Sequence, residues 1–289
     1  MLREKKIDMT LSKTNTYLWD KNKVRYQLMH TNGNSQKVFN WLFFPGGPGL
    51  DSSYFSTLTP HLNLPGNTWY IDFPNNGSNL IQDKNLQDFN AWLDDFIPII
   101  LHFPNSIYVG HSFSGMLPLL YPELENYLTG LVIIASAPSL WFEASAKMAK
   151  KKNLPDLTNV TMRYMEHPDE KTFWQASQAF AHYYFLPTFL EKGLRLLKNT
   201  PANPYGPHWW MSKVQEIHYS AKWIPQKTPT LLIGGAEDAV IPFSLFLEDK
   251  RFHRSNIQLE EVKSAAHFVW IDDLECVYNL LKSFIKKLS

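Results

Sequence analysis

The chain has 289 residues, enough to bury a sizeable core in one large domain with an insertion. Its 28 Lys and Arg against 27 Asp and Glu leave a net charge of +1, with no sign asymmetry that would draw nucleic acid or an anionic membrane. The single cysteine, Cys276, excludes an internal disulfide, and its helical setting between Asp272 and Tyr278 reads as a buried thiol.

Met1 to Asp8 carries basic residues with no apolar stretch behind them, and no run approaches the ~20 apolar residues that span a bilayer. A soluble, cytoplasmic protein is expected. Tyr17-Leu18-Trp19 and Val24 to Met29 alternate on either side of Asp20-Lys21-Asn22-Lys23, which predicts a hairpin at a sheet edge, and Asn32-Gly33-Asn34-Ser35 marks a turn. The strand-like run from Val38 to Phe44 breaks into Pro45-Gly46-Gly47-Pro48-Gly49, a loop suited to presenting a backbone N–H close to a ligand. A short helix around 53–62 and a strand over 68–72 follow. Leu86, Phe89, Leu93, Phe96 and Ile100 then share one face of a helix over 86–103, which Pro98 kinks or restarts.

Ser106 to Val109 forms a further strand and ends in Gly110-His111-Ser112-Phe113-Ser114-Gly115. A nucleophile held on a sharp strand-to-helix turn forces small residues two positions away on either side, and Gly110 and Ser114 meet that demand. The same turn sets Ser112 at a helix N-terminus, where unpaired backbone N–H groups stabilise negative charge. The helix is expected to start near Ser114, with Pro118 close to its first turn. Leu131 to Ala135, a continuous apolar strand, indicates a mostly parallel sheet buried on both faces.

Alternation stops near Pro138 and resumes near Thr228. A core of 1–138 and 228–289 is therefore expected, interrupted by a helical cap over 139–227. Within the cap, Pro168-Asp169-Glu170 opens a helix with Phe173, Ser177, Phe180 and Tyr184 on one side, and Lys150 to Lys152 read as a solvated helix end. Pro201, Pro204, Gly206 and Pro207 mark a loop before Trp209-Trp210. Beyond the cap, the strand Thr230 to Gly234 leads to Glu237-Asp238, and the strand Ile257 to Val262 leads to His267.

The order Ser112, Asp238, His267, with a serine on a strand-to-helix turn, resembles the α/β-hydrolase superfamily. The Pro45-Gly46-Gly47-Pro48-Gly49 loop is similar to the His-Gly-Gly-Pro-Gly loop of its prolyl iminopeptidase branch, with Pro45 in place of histidine, and Asp72 followed by Gly77-Ser78 is a second echo of that branch. The resemblance implies an α/β-hydrolase fold with an inserted helical cap. It also implies that His267, after the last strand, is the base that activates Ser112. His111 beside the serine should leave the elbow in a different direction from Ser112 and reads as structural or cleft-lining. Asp238 rather than Glu237 would orient His267, because Pro242 falls four residues on, where the superfamily often has a proline; Asp272 and Asp273 read as helix N-terminal acids. Phe113 N–H and a glycine-loop N–H, Gly47 before Gly46, would form the oxyanion hole. No metal or organic cofactor is required for this chemistry. The substrate expected from the resemblance is a small peptide with N-terminal proline, whose ammonium would need cap acids such as Glu143, Glu166, Glu170, Glu191 or Glu216. A carboxylesterase or other small-molecule acyl hydrolase is the alternative, and a ligand receptor on the same fold the third reading.

Overall fold

The structure is a computed structural model that describes residues 17–32, 38–80 and 89–288. The N-terminal segment, most of the turn expected at Asn32 to Ser35, and the Leu86 end of the first predicted helix lie outside these residues. Among the described residues eight strands form one sheet: β1 (Tyr17–Trp19), β2 (Arg25–Asn32), β3 (Asn40–Phe44), β4 (Gly66–Asp72), β5 (Ser106–His111), β6 (Leu128–Ile134), β7 (Thr230–Gly235) and β8 (Ile257–Val262). Their order is β1-β2-β4-β3-β5-β6-β7-β8. The hairpin β1–β2 and the pair β2–β4 are antiparallel, and every pairing from β4 to β8 is parallel.

β3, β5, β6 and β7 are buried along almost their whole length because helices cover both faces, which is why their sequences read as unbroken apolar runs rather than as alternation. Two apolar clusters lie against the sheet, one around Trp92, Phe96 and Tyr108, the other around Trp41, Phe55 and Trp270. The chain runs from β3 outward to β4 and then back to β5 on the opposite side of β3. The carboxyl ends of β3 and β5 therefore flank the topological switch point, the place where open α/β sheets leave a crevice for ligands. The glycine loop follows β3 and Ser112 follows β5, so chain topology alone brings these two features together.

The helices show where local chemistry overrides the expected elements. Instead of one helix over 53–62, two 3₁₀ turns span Ser52–Thr57 and Thr59–His61, parted at Leu58, with Pro60 in the first positions of the second. α1 (Ala91–Leu101) contains Pro98 and buries Trp92, Phe96, Ile99 and Ile100. The helix after Ser112 is a single turn, α2 (Phe113–Met116). Pro118 begins a separate 3₁₀ turn because it has no N–H to donate to the Ser114 carbonyl, which accepts instead from the Tyr108 hydroxyl at 2.6 Å.

Five α-helices lie between β6 and β7: α3 (Phe142–Lys151), α4 (Thr158–Glu166), α5 (Glu170–Tyr184), α6 (Leu190–Asn199) and α7 (Tyr205–Glu216). α5 starts at Asp169, which forms a capping box with Thr172. Gly206 and Pro207 belong to the first turn of α7, so the loop expected there ends at Pro204. Lys152, expected as a solvated helix end, is partly buried and bound to Glu237 at 2.5 Å. The remaining α-helices are α8 (Ser244–Glu248), α9 (Val269–Asp272) and α10 (Leu274–Ile285), in which Cys276 is half-buried.

One buried ionic cluster joins the edge of the sheet to the glycine loop. Arg25 on β2 donates to Asp72 at 2.8 Å and lies 3.4 Å from Asp51, which closely follows the loop. Ser52 donates to Asp72 through both N–H and hydroxyl, and Ser78 donates to Asp51. Burial raises the Asp72 carboxyl above the ordinary aspartate range, and Arg25 opposes the rise. The echo at Asp72 and Gly77-Ser78 is thus a structural clasp, with Arg25 and Asp51 as partners that the motif does not contain. Arg25→Ala leaves two buried carboxylates facing each other, and we expect it to cost roughly 3–5 kcal/mol in denaturant unfolding; a loss under about 1 kcal/mol would mean that the cluster is solvated.

Candidate active site

Ser112 stands at the end of β5 with φ 54° and ψ −120°, outside the regions that L-residues ordinarily occupy. The turn is possible because of its neighbours. A Cβ on Gly110 would lie 2.4 Å from the Ser114 carbonyl oxygen, so only hydrogen fits there. Ser114 is small enough for the turn and also donates its hydroxyl to the Pro45 carbonyl, joining the elbow to the start of the glycine loop. The Ser112 N–H donates to Ile134 of β6 at 2.9 Å, which fixes the elbow to the sheet.

Asp238 and His267 come from the loops after β7 and β8. The Asp238 Oδ1 accepts the N–H groups of Val240 and Ile241 at 2.8 and 2.9 Å, and Oδ2 lies 2.8 Å from His267 Nδ1. His267 Nε2 lies 2.9 Å from Ser112 Oγ. A carboxylate only accepts, so Nδ1 carries the imidazole proton and Nε2 offers its lone pair to the serine hydroxyl. The three side chains are enclosed: Ser112 is 8 % exposed, His267 2 % and Asp238 0 %. Glu237 turns away from the site to Lys152. Asp273 caps α10 by accepting from Cys276 N–H, as a helix N-terminal acid does, whereas Asp272 accepts the Ala266 N–H at 2.7 Å and so holds the histidine loop.

The glycine loop meets the elbow from the other side. Gly47 has φ 115°, a conformation that requires glycine, and neither its N–H nor that of Phe113 has an acceptor among the described residues. Gly46 differs, because its N–H donates to the Tyr54 hydroxyl at 2.5 Å. Tyr54 Oη lies 2.9 Å from His111 Nδ1, and His111 Nε2 lies 3.2 Å from the His267 carbonyl oxygen. Neither of these contacts is visible in the sequence, where His111 reads as a packing or cleft residue.

The helices between β6 and β7 press on both ends of this arrangement. The carbonyl of Tyr184, the last residue of α5, accepts the N–H groups of His267 and Phe268 at 3.1 and 3.3 Å. Ser145 on α3 donates to the Ala239 carbonyl, and Lys152 at its end donates to that of Glu237, on either side of Asp238. On α7 the Trp210 ring stands edge-on to Phe113 at 4.8 Å, and the preceding loop pairs with the glycine loop through Asn203 N–H to Gly49 and Asp51 N–H to Pro201. A cavity of about 410 Å³ lined by Phe89, Tyr205, Trp209 and Lys213 does not include Ser112, Asp238 or His267. Among the described residues no group of three or more His, Cys, Asp or Glu side chains is arranged to hold a metal ion.

A serine on a strained strand-to-helix turn, a histidine and an acid after later strands, and a parallel sheet with its switch point beneath them define an α/β hydrolase. The chain belongs to the Alpha/beta hydrolase family, whose model matches residues 41–277. No curated protein sequence matches it. Similar solved structures include an esterase from Thermogutta terrifontis, with TM-score 0.63, 16 % identity and coverage of 98 % of this chain and 97 % of that one. A proline iminopeptidase-related protein from Thermus thermophilus has TM-score 0.64, 15 % identity and 98 % coverage of both chains. An alpha/beta fold family hydrolase from Bacillus anthracis str. Sterne has TM-score 0.65 and 15 % identity over 96 % of this chain and 99 % of that one. At these identities the likeness is one of fold. No helix among the described residues is long and apolar enough to cross a membrane.

Burial, opposed by the Ala266 N–H, raises the Asp272 carboxyl to about 6. The folded protein therefore binds this proton more tightly than the unfolded chain, and the associated stability is complete below the ordinary aspartate value of 3.8 and lost as pH rises through about 6. Asp272→Asn keeps an acceptor for Ala266 and removes the titration. Its Tm relative to wild type should rise between pH 4 and pH 7.5 in thermal melts, whereas a difference that stays constant with pH would show that Asp272 is solvated.

Proposed function

We propose that the protein is a serine hydrolase that transfers the acyl group of a small uncharged ester to water through an acyl-enzyme. Ser112 Oγ attacks the carbonyl carbon as His267 Nε2 takes its proton, and Asp238 holds the imidazole and stabilises its charged form. The oxyanion rests on the N–H groups of Gly47 and Phe113, each such donor contributing about 3 kcal/mol in the transition state. His267 then protonates the departing alcohol, water adds to the acyl-enzyme by the reverse sequence, and the acid leaves. The helices of 139–227 act in this reading as a cap that encloses the reacting atoms. The working partner in this reading is a small molecule.

The observation that carries the reading is the unbroken pair of contacts, 2.9 Å from Ser112 to His267 and 2.8 Å from His267 to Asp238. The substrate class rests on the carboxylates of the cap. Release of N-terminal proline, which the loop's resemblance implies, needs an acid in the cleft to hold a free ammonium group. All seven acids of 139–227, namely Glu143, Asp156, Glu166, Asp169, Glu170, Glu191 and Glu216, are exposed on the surface. Glu143, Glu191 and Glu216 are also paired on their own helices with Lys147, Arg195 and Lys213. Such positions favour an ester over a peptide amine.

Initial rates on a short-chain aryl ester and on a proline anilide test both parts. We expect ester turnover that falls by at least about 10⁴-fold in Ser112→Ala, with the anilide at background. Ester turnover that survives Ser112→Ala would contradict the serine mechanism. Cleavage of the anilide that N-acetylation of its proline abolishes would instead establish amine recognition.

A further inference from the structure

We propose that Tyr54 and His111 are positioning residues that lock the Gly46-Gly47 loop and the His267 backbone into one arrangement about Ser112, a role that rests on the serine-hydrolase reading above. Two buried side chains connect the proposed oxyanion loop to the proposed base without touching the serine hydroxyl. The path runs from Gly46 N–H to Tyr54 Oη at 2.5 Å, from Tyr54 Oη to His111 Nδ1 at 2.9 Å, and from His111 Nε2 to the His267 carbonyl at 3.2 Å.

Each proton on this path has a single destination. The His267 carbonyl can only accept, so His111 Nε2 must carry a hydrogen and donate it. Tyr54 and His111 are each 1 % exposed, and burial, with His267 close by, holds the His111 imidazole well below its ordinary basicity. Neutral His111 therefore presents a lone pair at Nδ1, and the Tyr54 hydroxyl donates to it. The oxygen of that hydroxyl is then free to accept from Gly46. Reversing any one bond would leave a buried donor or acceptor without a partner.

Packing keeps the path from swinging. The Tyr54 ring stacks on Trp270 at 5.9 Å, and His111 meets the same indole edge-on at 4.9 Å. The indole N–H donates to Thr57 Oγ1 at 2.9 Å, on the 3₁₀ turn that carries Tyr54. The loop also touches the elbow directly, since a Cβ on Gly46 would stand 2.9 Å from Ser112 Cβ and 3.0 Å from His111 Nδ1. A shift of Gly46 therefore moves the Gly47 N–H relative to Ser112. At the other end the His267 peptide groups are held from two sides, by Tyr184 through N–H and by His111 through C=O.

Tyr54→Phe keeps the ring and removes the hydroxyl, leaving the Gly46 N–H and His111 Nδ1 unpaired where water does not reach. Misplacing reacting groups by a fraction of an ångström to an ångström costs up to about 10²-fold. On an aryl ester, kcat should fall roughly 10- to 100-fold with KM within about twofold, and labelling of Ser112 by a fluorophosphonate should slow by a similar factor. His111→Asn retains an acceptor for the Tyr54 hydroxyl and loses the donor to His267. It should also slow labelling, and the double variant should lose far less than the product of the two single effects. The same readouts on His111→Asn decide the matter if Tyr54→Phe does not fold. Folded single variants that label and turn over within about twofold of wild type would overturn the positioning role alone. Absence of Ser112-dependent labelling in the wild type would overturn the hydrolase reading, and this role with it.

Discussion

The site depends on a steric exclusion at Gly110. With the Ser114 carbonyl only 2.4 Å from where a Cβ would stand, the backbone can cross from β5 into α2 within one residue, and that residue is Ser112. Its strained φ of 54° is sustained by bonds that do not involve the side chain: Ser112 N–H to β6, Tyr108 to the Ser114 carbonyl, Ser114 to Pro45. The hydroxyl is thereby left with His267 as its partner. Strain at one residue is thus offset by satisfied polar groups around it, an arrangement common where geometry serves chemistry.

Two consequences follow for the rest of the molecule. The glycine loop must be held as firmly as the elbow, and the structure secures it at both ends, through Ser114 and Tyr54 at Pro45-Gly46 and through Asn76, Asn203 and the Arg25-Asp51-Asp72 cluster at Gly49 to Asp51. The helices between β6 and β7 also contact the residues of the site. α3 and the lysine at its end bracket Asp238, α5 holds the backbone of His267, and α7 packs on Phe113, so a movement of these helices would be felt by the residues proposed to do the chemistry. Ser112 itself is only 8 % exposed beneath these elements.

Much of the fold was legible because its signals are local and repeated. Unbroken apolar strands, glycine punctuation and the change to helical periodicity after Pro138 each report on a few adjacent residues, and Pro168-Asp169-Glu170 marks the start of α5. Positions at strand ends made Ser112, Asp238 and His267 candidates for one site, and the order of the strands accounts for their meeting. What could not be read are contacts set by long-range packing. Tyr54 and His111 are 57 residues apart, and His111 meets a backbone carbonyl 156 residues further on, an interaction without any residue-type signature. Arg25 sat in an alternating strand with nothing to mark it as the counter-charge of Asp51 and Asp72. The end of α2 before Pro118 is set the same way: proline cannot donate to the Ser114 carbonyl, and the distant Tyr108 hydroxyl does so instead.

In the proposed mechanism Ser112, held by this framework, becomes covalently acylated. Intact-mass spectrometry of protein quenched in acid during turnover of an aryl ester, followed by peptide mapping, tests it directly. The expected result is a mass increase of one acyl group, carried by the peptide containing Ser112 and absent from Ser112→Ala. An adduct on another residue, or ester turnover with no adduct under conditions where acyl transfer to water is the slow step, would contradict it.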